Sequence, residues 1–316
     1  MAGTEARFAM VRGNNPNAGL AVAAAVLSLV MVAGAPAFGQ DSAGYSGRAV
    51  NLGSRGWSAP EGGPQRETNQ FELSARAGFA TDYIYRGTTL SDHKFAVGAA
   101  FEATFSRFYA GVSVASVKLP TQPAAEVAIS AGIRETIADI NFDLGATYYA
   151  YPKEISSPGI DYWEALIRAD KNITESIRVA GGFAYSPNVS NTGAWSWYAA
   201  AGVGYDIPAA MLPKDIGIAF SAAAGYSWFG NQSPEFGGFP LPSYLNWHAG
   251  VTFTRKVFSL DLRYYDTNLS PENCFVLTGD PNALPGGAVN PVTNPDGLRS
   301  RWCGATFVAK VAFSQN

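Results

Sequence analysis

From Phe71 onward, apolar and polar residues alternate along the chain with a period of two. Between Phe95 and Phe105 every second residue is apolar, and the residues between them are Ala, Gly, Glu or Thr. The stretch from Leu245 to Phe253 repeats the pattern. Because successive side chains of a strand point to opposite faces, this period predicts strands with one apolar and one mixed face.

Twelve segments carry the alternation, and most of them contain 10–15 residues. They are 71–86, 95–105, 108–117, 124–135, 140–151, 162–171, 176–186, 195–206, 216–229, 245–255, 258–266 and 299–313. Strands of soluble domains usually contain about 5–6 residues. A tilted strand needs about 9–11 residues to cross a bilayer. The segment lengths therefore favour membrane-spanning strands.

The connections alternate between short and long. Ser106-Arg107 and Arg255-Lys256 are short turns, whereas 230–244 and 267–298 are long loops; the link 207–215 is longer than the other turns. Bacterial outer-membrane barrels have this asymmetry. Since hydrocarbon cannot satisfy backbone amides, only a helix or a closed barrel can span it. We predict an all-β fold, a transmembrane antiparallel up-and-down β-barrel of about 12 strands over 71–316.

Aromatic residues gather near the predicted strand ends, as in the girdles of a membrane barrel. The set is Tyr83, Tyr85, Tyr109, Tyr148, Tyr149, Tyr151, Tyr162, Trp163, Tyr185, Trp195, Trp197, Tyr205, Tyr226, Trp228, Trp247, Tyr264, Tyr265 and Trp302. The alternative is that these residues form the core of a soluble β-protein.

The start of the chain resembles an export signal. Residues 18–38 carry no charge, Arg7 and Arg12 precede them, and Ala35-Pro36-Ala37 offers small residues at the spacing of a cleavage site. We predict a signal peptide over 1–37 and a flexible periplasmic extension over 38–70, which is rich in Gly, Ser, Pro and Gln. The alternative to a cleaved signal is a membrane-anchoring helix.

The amino-acid composition excludes two further classes, nucleic-acid-binding proteins and disordered proteins. The chain has 316 residues, a formal net charge of −3 and only 15% charged residues. Its 22 basic against 25 acidic residues leave no positive excess for phosphates, so we expect no nucleic-acid partner. A hydrophobic fraction of 47% excludes disorder over most of the chain.

The mixed faces of the predicted strands hold nine acids and seven bases, and the barrel would point them into its lumen. The candidate lumen and selectivity residues are Asp82, Arg86, Glu102, Glu126, Arg134, Asp143, Glu164, Arg168, His248, Asp261 and Arg263. Asp82 and Arg86 are predicted on one face of the first strand, near the extracellular mouth. Such charges fit either a selective polar pore or a salt-bridged, plugged interior.

Cys274 and Cys303 are the two cysteines, and an exported chain with such a pair favours a disulfide; two free thiols are the alternative. The two histidines, His93 and His248, and the two cysteines lack the spacing of a metal site. His93 follows Ser91-Asp92, but G-x-S-x-G and H-E-x-x-H motifs are absent from the sequence. We therefore expect no enzyme, no cofactor and no metal.

Several short runs resemble the TorF family of porin-like proteins, in order and spacing. They are Thr81-Asp82-Tyr83-Ile84-Tyr85-Arg86-Gly87-Thr88-Thr89-Leu90-Ser91-Asp92, Phe108-Tyr109-Ala110-Gly111-Val112, Tyr148-Tyr149-Ala150-Tyr151-Pro152, Asp161-Tyr162-Trp163-Glu164 and Ala184-Tyr185-Ser186-Pro187. The resemblance covers roughly 71–313 and implies an outer-membrane porin-like protein without an assigned substrate.

These observations predict a bacterial outer-membrane channel for passive diffusion of small hydrophilic solutes. Its partners would be outer-membrane lipid, the solutes and, during biogenesis, the barrel-assembly machinery. A structural or adhesive barrel with a blocked lumen is the first alternative, and an outer-membrane hydrolase is the second.

Overall fold

The computed structural model describes residues 71–155 and 157–315. The predicted signal peptide and periplasmic extension lie outside these residues. The barrel strands are β1 (Phe71–Ala80), β4 (Ala96–Phe105), β5 (Phe108–Ala115), β6 (Glu126–Ile137), β7 (Ile140–Ala150), β8 (Tyr162–Asn172), β9 (Ile177–Ser186), β10 (Ser196–Asp206), β11 (Ile216–Phe229), β12 (Tyr244–Arg255), β13 (Phe258–Thr267) and β14 (Thr306–Gln315). A short hairpin of β2 (Ile84–Tyr85) and β3 (Thr88–Thr89) and one helix, α1 (Pro271–Thr278), lie in loops.

The twelve long strands form a closed barrel in which each strand is antiparallel to both neighbours. Closure occurs at β1, where Ala75 pairs with Phe101 of β4 on one side and with Gln315 of β14 on the other. The prediction of a closed antiparallel barrel of twelve strands is confirmed. Closure leaves no unpaired sheet edge among these strands, which is the condition for a sheet in hydrocarbon.

Alternation along the strands separates an apolar exterior from a polar interior. Outward residues such as Ile129 and Phe220 are 55% and 49% exposed, although both are large and apolar. Inward residues one position away are polar or small. Large tryptophans, including Trp163, Trp197 and Trp228, are exposed at one end of the barrel. An exposed apolar exterior capped by aromatics is what a lipid-facing surface requires.

The two ends of the barrel differ in their connections. At one end, called the turn end here, Ile137 pairs directly with Ile140 and Arg255 with Phe258, so two residues make each turn. Ala138 and Asp139 both have positive φ, as a type I′ hairpin turn requires. The opposite end, called the mouth, carries the longer loops, including 230–243 and 268–305.

The longest mouth loop contains α1, which begins where Ser270 accepts a hydrogen bond from the Asn273 N–H. Pro271 fits the first helical turn, and Gly279 ends the helix in the left-handed conformation. No helix among the described residues is long and apolar enough to cross a membrane.

Two predicted strands are much shorter in the structure. The first was expected over 71–86 but ends at Ala80, and the last was expected from 299 but begins at Thr306. In both cases the missing portion belongs to a mouth loop. The reason for the first difference lies in the side chains around Asp82, described below.

Candidate lumen site

The first mouth loop folds back into the barrel because a buried carboxylate organises it. Asp82 is bound by the Thr89 hydroxyl, by Ser91 Oγ at 2.8 Å and by His93 Nδ1 at 2.8 Å. The Tyr83 N–H donates to Ser91 Oγ. These bonds replace the strand ladder that would otherwise continue past Ala80, so the chain turns inward.

The segment beyond Asp82 forms the hairpin β2–β3, with Arg86 and Gly87 as its two turn residues. Both have positive φ, 49° and 81°, as a type I′ turn requires. The turn is pressed against the wall: a Cβ on Gly87 would clash with the Thr267 methyl group, and Tyr244 donates its hydroxyl to the Arg86 carbonyl at 3.0 Å. Glycine is therefore needed for space as well as for backbone conformation.

The Arg86 side chain crosses to another part of the wall and pairs with Glu164 of β8. Arg86 Nη1 lies 2.9 Å from Glu164 Oε1, and Nη2 donates to Oε2 at 3.3 Å. The Tyr85 hydroxyl donates to the same carboxylate at 2.8 Å. The guanidinium also lies 4.1 Å from the ring centroid of Tyr198 on β10, within range of a cation–π interaction.

A second carboxylate, Glu126 of β6, receives the other tyrosine of this segment. Tyr83 donates to Glu126 Oε1 at 2.8 Å, and Tyr151 donates to Oε2 at 2.9 Å. Glu126 and Glu164 are 2% and 3% exposed. The mouth layer is defined here as Tyr83, Tyr85 and Arg86 together with Glu126, Glu164, Tyr198 and Tyr244.

The mouth layer joins the first loop to four wall strands, β6, β8, β10 and β12. Glu164 raises the pKa of the Arg86 guanidinium despite the opposing effect of its burial, so Arg86 stays charged. Burial, the largest cause, raises the pKa of Tyr85, so its hydroxyl remains a donor. The arrangement is a charged segment seated across the mouth.

Two further groups of lumen charges pair along the wall and are called the wall clusters. In the first, Arg134 of β6 binds Glu102 of β4 and lies 3.4 Å from Asp143 of β7, which also accepts from Tyr109 at 2.8 Å. The Arg134 guanidinium lies 3.9 Å from the Tyr109 ring centroid.

The second wall cluster is built on β11 to β13. Arg263 donates to Asp261 at 2.8 Å, and Asp261 accepts from Thr252 at 2.6 Å. Arg263 also lies 3.1 Å from His248 Nδ1 and donates to Ser221 Oγ at 3.0 Å. Within each wall cluster, the joined strands are either adjacent or separated by a single strand.

Small inward residues line the sheet from β9 to β11, where large charged side chains are few. They are Ala180, Gly182, Ala184, Ala200, Gly202, Gly204, Gly217, Ala219 and Ala223. The lumen is therefore lined unevenly, with bulky charged clusters on β4 to β7 and on β12 and β13, and mostly small side chains on β9 to β11.

The long last loop is fastened to the first loop above the mouth layer. Cys274 and Cys303 form a disulfide with a Cα–Cα distance of 5.8 Å. The neighbouring Trp302 accepts at its carbonyl from the Thr89 N–H at 2.9 Å, and its indole N–H donates to Asp92 at 3.1 Å. The disulfide therefore restrains the segment that holds the first loop.

The structure places the predicted lumen residues as follows. Glu102, Glu126, Arg134, Asp143, Glu164, Arg168, His248, Asp261 and Arg263 lie on the inward faces of wall strands. Asp82 and Arg86 do not share a strand face: Asp82 is the anchor of a loop, and Arg86 lies at a hairpin tip. The expectation that they sit together on the first strand is wrong, because the strand ends before both.

The predicted aromatic girdle also needs correction. Tyr83, Tyr109, Tyr149, Tyr151 and Tyr162 are 3–8% exposed and point inward, whereas a girdle residue faces lipid. Strand parity could have shown this for Tyr149, which is an even number of residues from the inward Asp143. The rule could not place Tyr83, because β1 ends at Ala80 and Tyr83 lies in the loop that follows.

His93 has both ring nitrogens engaged. Nδ1 faces the Asp82 carboxylate, and Nε2 lies 3.0 Å from the Arg301 carbonyl oxygen. The Asp82 hydrogen bond is the largest cause that raises the pKa of His93. In residues 71–155 and 157–315, no group of three or more His, Cys, Asp and Glu side chains is placed to hold a metal ion.

Fold and site together define a class: closed antiparallel barrels with an apolar exterior, a charged interior and a mouth loop folded inward. The chain belongs to a bacterial protein family of unknown function, Gcw_chp, whose model matches residues 64–284. No curated protein matches the sequence.

Among solved structures, the barrel is similar in shape to several outer-membrane proteins. The KdgM porin in complex with disordered oligogalacturonate has 8% identity and a TM-score of 0.42, with 77% of this chain and 99% of that chain covered. CdiB from Escherichia coli has 9% identity and a TM-score of 0.40, covering 80% and 64%. LpxR from Salmonella typhimurium has 7% identity and a TM-score of 0.36, covering 76% and 99%.

Proposed function

We propose that the protein is a porin-like channel of the bacterial outer membrane, through which small hydrophilic solutes diffuse passively. The observation that carries the proposal is the segregation of charge, with every strand charge of the two wall clusters facing inward while large apolar residues face outward. Because a charge facing lipid at mid-bilayer costs about 2–4 kcal/mol, this segregation suits a barrel with a wet interior. The resemblance to the TorF family supports the same assignment.

Passage would follow the small-residue side of the lumen. Side chains of Gly and Ala on β9 to β11 leave room that the charged clusters on β4 to β7 do not. The mouth layer lies above this route, so the hairpin must move before a solute enters. Within this proposal the hairpin β2–β3 is the gate, and the wall clusters line the path.

The blocked-lumen barrel is the second candidate, favoured by one observation. Glu126 and Glu164 are almost wholly buried, whereas carboxylates beside an open aqueous passage would be solvated. If the hairpin never moves, the protein is a structural or adhesive barrel. The proposal therefore depends on a movable hairpin.

Single-channel recording in planar bilayers tests the proposal. A variant in which a Gly-Ser link replaces residues 84–89 should show larger and longer-lived current steps than the wild type, because its mouth is unobstructed. Arg107→Ala, on an exposed turn, is the matched control and should behave as the wild type. A wild type without current steps, beside a hairpin variant that conducts, would support the blocked barrel, and a folded hairpin variant without current steps would contradict the channel.

Export to the outer membrane is part of the same proposal, with the signal peptide removed near residues 37–39. N-terminal sequencing of protein from purified outer membranes should find a chain that begins after Ala37 or Gly39. A chain that still begins at Met1 or Met10 would contradict cleavage.

A further inference from the structure

We propose that the wall around Glu164 is a binding site for guanidinium-bearing solutes, and that Arg86 is its tethered occupant. The inference deepens the proposed channel function, on which its physiological meaning rests. Its starting point is a difference in how buried acids are neutralised. Asp261 and Glu102 pair with Arg263 and Arg134 of the wall itself.

Glu164 is neutralised differently. Within residues 71–155 and 157–315, the base that pairs with Glu164 is Arg86, which comes from the first loop. The Tyr85 hydroxyl that binds the same carboxylate also belongs to the hairpin. When the hairpin leaves the mouth, Glu164 therefore loses its base and a donor at once, while the wall clusters keep theirs.

The geometry around Glu164 matches a planar cation. Two guanidinium nitrogens face the two carboxylate oxygens: Nη2 donates to Oε2 at 3.3 Å, and Nη1 lies 2.9 Å from Oε1, a contact by two separate nitrogens that the single nitrogen of lysine cannot make. The Tyr198 ring lies 4.1 Å from the guanidinium carbon and belongs to the wall, so it remains when the hairpin moves. A carboxylate fork and an aromatic face would then be open to the mouth.

This arrangement makes Arg86 a competitor of the solute. A solute with a guanidinium group would gain the carboxylate pair and the aromatic face that Arg86 gives up, and its binding would favour the hairpin-out state. A solute with an ammonium group would bind more weakly, because it cannot form the paired contact. A neutral solute would gain neither interaction.

Calorimetric titration of the full-length protein in lipid nanodiscs tests the site with arginine and citrulline, which differ in the guanidinium group. Arg86→Gln removes the guanidinium from the site and leaves a shorter, uncharged polar side chain at the hairpin tip. We expect arginine to bind Arg86→Gln on the order of tenfold or more tightly than the wild type, and citrulline not to bind. Adding Glu164→Gln should abolish arginine binding. Adding Glu126→Gln instead should not, because Glu126 contacts Tyr83 and Tyr151 rather than Arg86.

Equal arginine binding with and without Glu164→Gln, or equal binding of citrulline, would overturn the inference. If Arg86→Gln does not fold, the variant with a Gly-Ser link over 84–89 exposes the same wall and takes its place. Current recorded on the same proteins separates the two proposals. Arginine binding without current removes the channel and keeps the site, whereas current without arginine binding removes the site and keeps the channel.

Discussion

The mouth layer and the wall clusters both bury charge inside one barrel, but the chain supplies the partners differently. In the wall clusters, acid and base stand on neighbouring or nearly neighbouring strands, and the ladder fixes their distance. In the mouth layer, the base stands on the hairpin β2–β3, which contacts the wall through side chains and the Arg86 carbonyl. The first arrangement follows from strand pairing, and the second does not.

The largest effect should come from the wall. Arg134→Ala leaves Glu102 and Asp143 buried without their base, so we expect a loss of about 3–5 kcal/mol in the free energy of unfolding. Urea titration of bilayer-folded protein measures this loss. Arg86→Ala should cost less, because water can reach Glu164 from the mouth once the hairpin is displaced. A larger loss for Arg86→Ala would reverse the comparison.

The disulfide should restrain the mouth loop that it closes and stabilise the folded chain. Its residues are 29 positions apart, and a chain-entropy account gives about 3–4 kcal/mol for closing that loop. Replacing Cys274 and Cys303 by Ser should therefore speed protease cleavage within 268–305. Because the entropy difference lies in the unfolded chain, the urea midpoint of the barrel should also fall. Mass spectrometry of unreduced protein gives an independent check, since two free thiols would contradict the bond.

A new charge should destabilise the barrel far more on the outside of the wall than on the inside. Val251 faces outward on β12, and Thr252 faces inward toward Asp261. Val251→Arg should cost about 2–4 kcal/mol in bilayer-folded protein, and Thr252→Arg much less. Equal losses in the urea titration would mean that the assignment of faces is wrong, since a one-residue shift exchanges them.

The smallest effect should be a pH dependence of the first loop. The hydrogen bond to Asp82 raises the pKa of His93 above its ordinary value of about 6.5. A raised pKa means that the stabilisation is complete below about 6.5 and is lost as pH rises through the folded-state value. The protection of residues 81–95 against hydrogen exchange, measured relative to the intrinsic rate at each pH, should therefore fall above neutral pH. His93→Gln should remove this pH dependence. If the pH dependence is unchanged in that variant, a group other than His93 causes it.

The same contrast explains which parts of the molecule the sequence could predict. Most strand bounds agree with the structure to within a few residues, because one buried face and one lipid face force a period of two along every strand. The inward placement of Glu102, Asp143 and Arg263 follows from that period. The lumen tyrosine Tyr149 could have been placed by the same rule, although it was assigned to the girdle.

The mouth layer could not be predicted in this way. Period two continues past Ala80 through Asp82, Ile84 and Arg86, so the pattern extends a strand that the structure ends. What ends it is a set of side-chain bonds on Asp82 from residues seven to eleven positions later. Partners such as Glu126 and Tyr244 lie 43 and 158 positions from the loop residues they bind, and no local pattern joins them.

Those separations also bear on the order in which the molecule is built. The hairpin lies directly after the first strand, yet its seats on β8, β10 and β12 belong to segments that the ribosome makes much later. Contacts between distant segments carry a loop-closure cost that local contacts do not. A sheet assembled only from β1 to β7 would hold Arg86 without its partners on β8, β10 and β12. An incompletely assembled barrel would thus lack the barrier that the finished barrel carries.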